Sequence, residues 1–210
     1  MKVSGHTPWR QAPFAVVDVE TTGLDPRRDE VISFAAVPVE GGRVVAAGVV
    51  AGLVRPASSP AAASVEIHGL RAADLAAAPA GPPALAPLVP ALESRIPVVH
   101  VAWVERAFLG PRLRELGFVL PRRVIDTALL WRVLCMARGH GDPGYRSLEA
   151  VATGLGLPSH RPHEAEGDAL TTAQAFLALA THLEAHQQVT VGRLARAGGE
   201  VRAWELWNVP

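Results

Sequence analysis

Three apolar runs stand within the first 54 residues with only short turns between them, and the remainder of the chain alternates between strand-like and helix-like segments. That order leaves few folds open. Phe14-Ala-Val-Val-Asp-Val19 is rich in β-branched residues and reads as a buried strand. Gly23 to Asp29 mixes Gly, Pro and charge and reads as a turn. Val31 to Val39 is the second strand, Gly41-Gly42 a hairpin signal, and Arg43 to Val54 the third strand. Connections this short make the three an antiparallel meander. Pro- and Ala-rich loops over 56–64 and 79–90 flank short helical pieces. Ile96-Pro-Val-Val-His100 is the fourth strand, and Trp103 to Leu116 a helix. Arg123-Val-Ile-Asp126 is a short fifth strand, followed by a helix to Met136. Arg138 to Gly144 is a Gly-rich loop. Ser147 to Leu155 is a helix with Ser147 as its N-cap, and 164–187 a long one. The expected fold is α/β: a mixed five-stranded sheet, antiparallel meander first and parallel strands after, flanked by helices. It brings the ends of the first and fourth strands together, where ligand sites of α/β sheets tend to form. The expected division is a loose leader over 1–12, one domain over 13–188 and a C-terminal tail over 189–210.

Composition narrows the class further. The 210 residues suit one domain, and 49% hydrophobic against 19% charged excludes a disordered chain. No apolar run reaches the ~20 residues of a membrane span. Pro8 and Pro13 frame no apolar signal core, so a cytoplasmic protein without a membrane partner is expected. Cys135 is the single cysteine, which excludes an internal disulfide and a cysteine zinc cluster. Net charge is zero but uneven. Residues 106–161 carry nine Arg and four acids, between two acidic flanks. A basic middle beside acidic ends suits a polyanion held next to a carboxylate site, and equally a mixed solvated surface.

Asp18 and Glu20 close the first strand. Two residues apart, they project to one face. Two acids there are costly unless a cation compensates, and a hard divalent ion prefers carboxylate oxygens. A solvated strand-end pair reads the same way, so this pair alone decides nothing.

The residues around the pair carry a resemblance. Asp18-Val-Glu20-Thr-Thr-Gly-Leu-Asp-Pro26 resembles the first motif of the DEDDh 3′–5′ exonucleases, the DnaQ-like family of the proofreading ε subunit of bacterial DNA polymerase III. His163-Glu-Ala-Glu-Gly-Asp168-Ala169 resembles the third motif, H-x-A-x-x-D-A. Asp29-Glu-Val-Ile, Val54-Arg-Pro56, Ile67-His-Gly-Leu70, Val124-Ile-Asp-Thr127 and Ser147-Leu-Glu-Ala-Val-Ala are similar to intervening segments. The resemblance covers residues 13–182. It implies a ribonuclease H-like fold and metal-dependent removal of nucleotides from 3′ ends. It implies Asp18, Glu20 and Asp168 as metal ligands and His163 as general base. Thr21, Thr22, Leu24 and His68 are implied as contacts to the terminal nucleotide. The implied cofactors are two divalent ions, Mg²⁺ or Mn²⁺. The implied substrate is a single-stranded or frayed 3′ end, DNA ahead of RNA, with room for a polymerase or other protein partner.

One motif departs. The family's second motif reads roughly H-N-A-x-F-D-x-x-F-L, and here stands His100-Val-Ala-Trp-Val-Glu105-Arg-Ala-Phe-Leu109. Val101 replaces Asn, Val104 the aromatic, and Glu105 the metal-binding Asp. Glu still offers a hard-cation ligand, but its extra methylene moves the carboxylate by roughly 1 Å, a displacement that can cost about 10²-fold in rate. An exonuclease of reduced activity is therefore one expectation, and an exonuclease-like binding module the other. The Trp204–Trp207 pair in the tail adds a docking surface to the second.

The residue types suit the chemistry. Phosphodiester hydrolysis develops charge on the attacking water and the leaving 3′ oxygen, and two ions about 3.5–4 Å apart stabilise both. Asp18, Glu20, Glu105 and Asp168 supply four acidic ligands. A histidine, which as a residue type titrates near ~6.5, suits proton abstraction near neutral pH. His100 reads as a strand-end orienting residue, and Asp126 as a helix cap or an acid behind the ligands. Arg122, Arg123, Arg138, Arg146 and Arg161 read as surface residues within reach of phosphates. His140 and His160 read as exposed loop residues, Trp103 and Trp131 as core, and Cys135 as a buried small hydrophobe.

Overall fold

Strand β1, Phe14–Thr21, is apolar at nearly every position to Val19 because both of its faces are covered. Phe14 and Val16 belong to one core cluster, and Ala15, Val17 and Val19 to the other. The computed structural model describes residues 3–121, 124–185 and 189–198. β1 pairs antiparallel with β2, Val31–Glu40, from Phe14↔Val39 to Thr21↔Val31, with a register irregularity between Glu20 and Thr21. On its other side β1 pairs parallel with β5, Ile96–Val99, which pairs parallel with β6, Ile125–Asp126. The sheet order is β3-β2-β1-β5-β6, with β3 at Arg43–Val44 and β4, Val50–Leu53, also paired to β2.

The mixed sheet is the expected one, with one correction. The segment over 43–54 is two short strands, not one. A 3-10 turn at Ala46–Gly48 separates them, so the sheet has six strands where five were expected. Both pieces lie along β2, so the layout of the site is unaffected. Gly41 and Gly42, at φ of 60° and 70°, form the hairpin connection the sequence signalled.

Helices cover both faces. Helix α1 is Ala62–His68, α2 Ala72–Leu75, α3 Leu88–Leu92, α4 Trp103–Glu115, α5 Thr127–Ala137, α6 Leu148–Gly154, α7 Ala165–Glu184 and α8 Val191–Ala197. Ser147 caps α6 by accepting from the Ala150 N–H, as expected. α7 presents Ala169, Ala173, Phe176 and Ala180 to the face of β1 that carries Phe14 and Val16. The Phe14 and Phe176 rings lie 4.8 Å apart. On the opposite face α3 and α4 bring Leu88, Leu92, Phe108, Leu109 and Leu113 against Val17 and Val19.

Residues 9–12 are not loose. Trp9 is 1% exposed and packs edge-on against Phe176, with Ala12 buried beside it. An indole of that size is worth more inside than in water, and Pro8 bridges Thr190 to hold it there. At the other end, α8 buries Val191 and Leu194. Trp204 and Trp207, and Arg122 and Arg123, lie outside the described residues. Among the described residues no helix is long and apolar enough to cross a membrane.

Candidate active site

Alternation along β1 builds the site. Phe14 and Val16 face α7, so Asp18 and Glu20 continue that face where the strand runs beyond the core. There they meet the first turn of α7, which carries Asp168. Oxygens of Asp18, Glu20 and Asp168 all lie within 4.8 Å of one another. Glu105 sits in the first turn of α4 on the same cleft, 3% exposed, with its Oε2 buried and lacking a hydrogen-bond partner. It stands outside the close trio. The cleft holds about 290 Å³ and is lined also by Thr21, Leu24, His68, His100, Trp103 and His163.

Crowding the acids perturbs them. Burial, then the charges of Glu105, Glu20 and Asp168, raise Asp18 well above the usual carboxylate range. Burial and Asp168 push Glu20 up to about 8. Burial raises Asp168 to about 6, although the His163 backbone N–H and ring work against it. Burial raises Glu105 as well, with Asp126 adding to it. Such a group of acids is unfavourable by itself, and a hard divalent cation reverses the penalty. The donor set and the unpartnered Glu105 oxygen therefore fit the metal ions that the resemblance implies.

His163 lies at the exposed rim. Its backbone adopts φ 61°, its N–H donates to Asp168 Oδ2 at 3.0 Å, and its Nε2 stands 3.9 Å from Glu149 Oε1. His68 is nearly buried at the end of α1. Its Nδ1 accepts from the Leu70 N–H at 3.0 Å, while its Nε2 is buried without a hydrogen bond. Burial lowers its pKa, against the Thr21 backbone and with the nearby His163 adding to the fall. Leu24, 60% exposed, forms an apolar lip. Thr21 donates its hydroxyl to the Gly23 carbonyl at 2.7 Å, tightening the turn after β1.

Thr22 is not brought into the cleft. It is 2% exposed, its hydroxyl donates to Asp29 Oδ1 and accepts from the Glu30 N–H, both at 3.0 Å, and it locks the turn from behind. His100, expected to orient the strand end, is held at both ring nitrogens: its Nδ1 lies 2.8 Å from Thr127 Oγ1 and its Nε2 3.0 Å from the Arg146 carbonyl oxygen. Asp126 caps α5 by accepting from the Ala128 N–H. His160 is half-buried, with its Nε2 3.0 Å from Gln174 Oε1. Arg161 pairs with Glu164 at 3.0 Å. Trp103 lines the cleft instead of lying wholly in the core. Glu149 and Gly167 escaped the sequence reading. Glu149 carried one signal, its place in the first turn after the Ser147 cap. Gly167 carried only its position between two acids.

Solved structures put this fold among exonucleases. Exonuclease X in complex with 5′ overhanging duplex DNA superposes with a TM-score of 0.67 at 22% identity, covering 89% of this chain and 99% of that one. E. coli exonuclease I in complex with a dT13 oligonucleotide gives 0.69 at 18% identity, over 84% and 42%. The ribonuclease H-like fold is therefore the observed one. The particular family follows from the sequence: the profile of the exonuclease family (RNase_T) matches residues 15–176, and the chain belongs to that family. By class it is therefore a protein with the fold and the sequence profile of the exonuclease family. A DNA polymerase III subunit epsilon-like protein of Rhodobacter capsulatus is 37% identical over 191 residues, which are 89% of this chain and 26% of that protein. The DNA polymerase III PolC-type of Thermotoga maritima is 34% identical, over 83% of this chain and 12% of its own length. The chain thus spans about a quarter or less of these curated relatives.

Proposed function

We propose that this chain is a 3′–5′ exonuclease that takes single-stranded or frayed 3′ ends, DNA in preference to RNA, and works with two divalent ions, Mg²⁺ or Mn²⁺. The observation that carries this is the convergence of Asp18, Glu20 and Asp168 within 4.8 Å, with buried Glu105 beside them and His163 at the rim. The four carboxylates would hold the ions, which when bound neutralise the developing phosphoryl charge and acidify the attacking water. His163 takes the proton from that water as its oxygen bonds to phosphorus. The phosphorus–O3′ bond breaks, its electron pair leaves with O3′, and that oxygen takes a proton from solvent while His163 returns its own to solvent, giving a nucleoside 5′-monophosphate and a strand with a new 3′-hydroxyl. Thr21, Leu24 and His68 line the cleft where the terminal nucleotide would sit and orient it. DNA over RNA, and a polymerase partner, draw their support from the names of the relatives.

A second reading, a slow or inert module that binds nucleic acid or protein, rests on Glu105 standing outside the close trio. Incubation with Mn²⁺ and matched 5′-labelled DNA and RNA single strands separates the two. Stepwise shortening that stops in EDTA supports the enzyme, with the faster strand naming the substrate. An intact strand that still binds supports the module, and shortening undiminished by EDTA ends the metal mechanism.

A further inference from the structure

Asp126 lies behind the cleft at the end of β6, 1% exposed. Its carboxylate accepts two hydrogen bonds on each oxygen. Oδ1 takes the N–H of Val101 at 3.2 Å and of Ala128 at 2.8 Å. Oδ2 takes the N–H of Ala102 at 2.9 Å and the hydroxyl of Tyr145 at 3.3 Å. Ala128 belongs to α5, the helix that comes directly after Asp126 in sequence. Val101 and Ala102 lead into α4, whose N-cap residue, Ala102, has no side chain able to cap it. One carboxylate thus caps two helices, its own directly and α4 across space.

The backbone it grips is strained. Val101 has φ 70°, a left-handed conformation that β-branched residues resist and that persists only where the surroundings enforce it. Asn, which the resemblance places at this position, adopts that conformation far more readily. With valine there, the paired bonds to Asp126 carry the kink. The kink sets the direction in which α4 leaves β5, and Glu105 lies three residues beyond Ala102. Asp126 is itself anchored, because its N–H donates to the Gly198 carbonyl at 2.9 Å.

We infer that Asp126 is a positioning residue for the second motif: by capping α4 across space and holding Val101 in its left-handed kink, it sets the reach of the Glu105 carboxylate toward the metal-binding acids. Tyr145 ties the Gly-rich loop to the same carboxylate. The inference rests on the metal-dependent reading proposed for the cleft.

Calorimetric titration of the full chain with Mn²⁺ alone, without substrate, tests it. Asp126→Asn keeps the shape but turns an amide toward N–H donors. It should weaken Mn²⁺ binding by about 10–100-fold, the usual loss for groups behind metal ligands. Tyr145→Phe removes one bond in four, leaves the fold intact, and should weaken binding on the order of 3-fold. Adding Val101→Asn to Asp126→Asn should recover part of the affinity, because the kink then needs less support; a purely structural role for Asp126 would not produce that rescue. Parent-like Mn²⁺ affinity in folded Asp126→Asn and in Tyr145→Phe overturns the inference while leaving the metal reading intact. Where Asp126→Asn does not fold, Tyr145→Phe decides alone. A parent protein that binds no Mn²⁺ overturns the metal reading, and the inference falls with it.

Discussion

The backbone N–H of His163 donates to Oδ2 of Asp168 at 3.0 Å, across the step from loop to helix. The proposed base and the last carboxylate are therefore one local unit, fixed by the start of α7. The same bond lowers the cost of a buried Asp168 charge.

Removing the ring leaves that bond in place, since the donor is backbone. His163→Ala should therefore keep the fold, the metal site and substrate affinity, and lower turnover by about 10²–10⁴-fold. Single-turnover rates beside a binding titration check this. Turnover equal to the parent's takes His163 out of the mechanism.

Gly167 is the hidden support of this unit. A Cβ there would collide with the carbonyl oxygens of His160 and Arg161. The loop that delivers His163 crosses the first turn of α7 at a distance only glycine permits. Alanine is the better helix former by about 1 kcal/mol, so any net loss isolates the close approach. Gly167→Ala should cost about 2–3 kcal/mol in denaturant unfolding and slow turnover with it. A variant more stable than the parent would mean that the loop gives way freely.

Much of this was legible in the chain. The parity of Phe14, Val16, Asp18 and Glu20 put apolar and acidic residues on one face, and the structure keeps them there. The third motif was legible because its residues act on one another locally. What escaped depends on distant packing. Nothing near Trp9 announces that Phe176 will receive it, and nothing in the apolar run from Arg43 announces the 3-10 turn at Ala46–Gly48. The role of Asp126 as a cap for α5 is set by its place before Thr127. Its grip on Val101 and Ala102 exists only once β5 and β6 lie side by side.

The crowded acids set a pH dependence in the metal-free protein. Glu20, raised from 4.5 to about 8, and Asp168, raised from 3.8 to about 6, hold protons that the unfolded chain releases. Their stabilisation is complete below the unfolded values and is lost as pH rises through the folded ones. His68 and His100, both lowered by burial, act oppositely, losing stability as pH falls below about 6.5. The informative window thus runs from about pH 6.5 to 8, where Glu20 titrates. In EDTA the melting temperature should fall across it, and Glu20→Gln should flatten the fall. An unchanged slope in that variant would remove Glu20 as the cause.

Glu105 is where this chain leaves its family's pattern, and two outcomes are physically open. Either the pocket has been rebuilt so that Glu ligates as well as Asp, or the longer side chain loosens one ion. Glu105 stands outside the trio of Asp18, Glu20 and Asp168, and its Oε2 is buried without a partner. Val101, two residues before α4, is held in a left-handed kink. These features favour the looser site, with the ion held by the trio less affected. Turnover in Mg²⁺ should then be slow and partly rescued by Mn²⁺, for which oxygen ligands suffice. Glu105→Asp should raise the Mg²⁺ rate, since the shorter carboxylate restores the expected reach. The gain should approach the roughly 10²-fold that a 1 Å misplacement costs. Glu105→Ala should abolish most of the remaining activity. Steady-state rates in each metal for the three proteins decide the matter. If Glu105→Asp is slower than the parent, the pocket has been rebuilt around glutamate, and the looser-site reading is wrong.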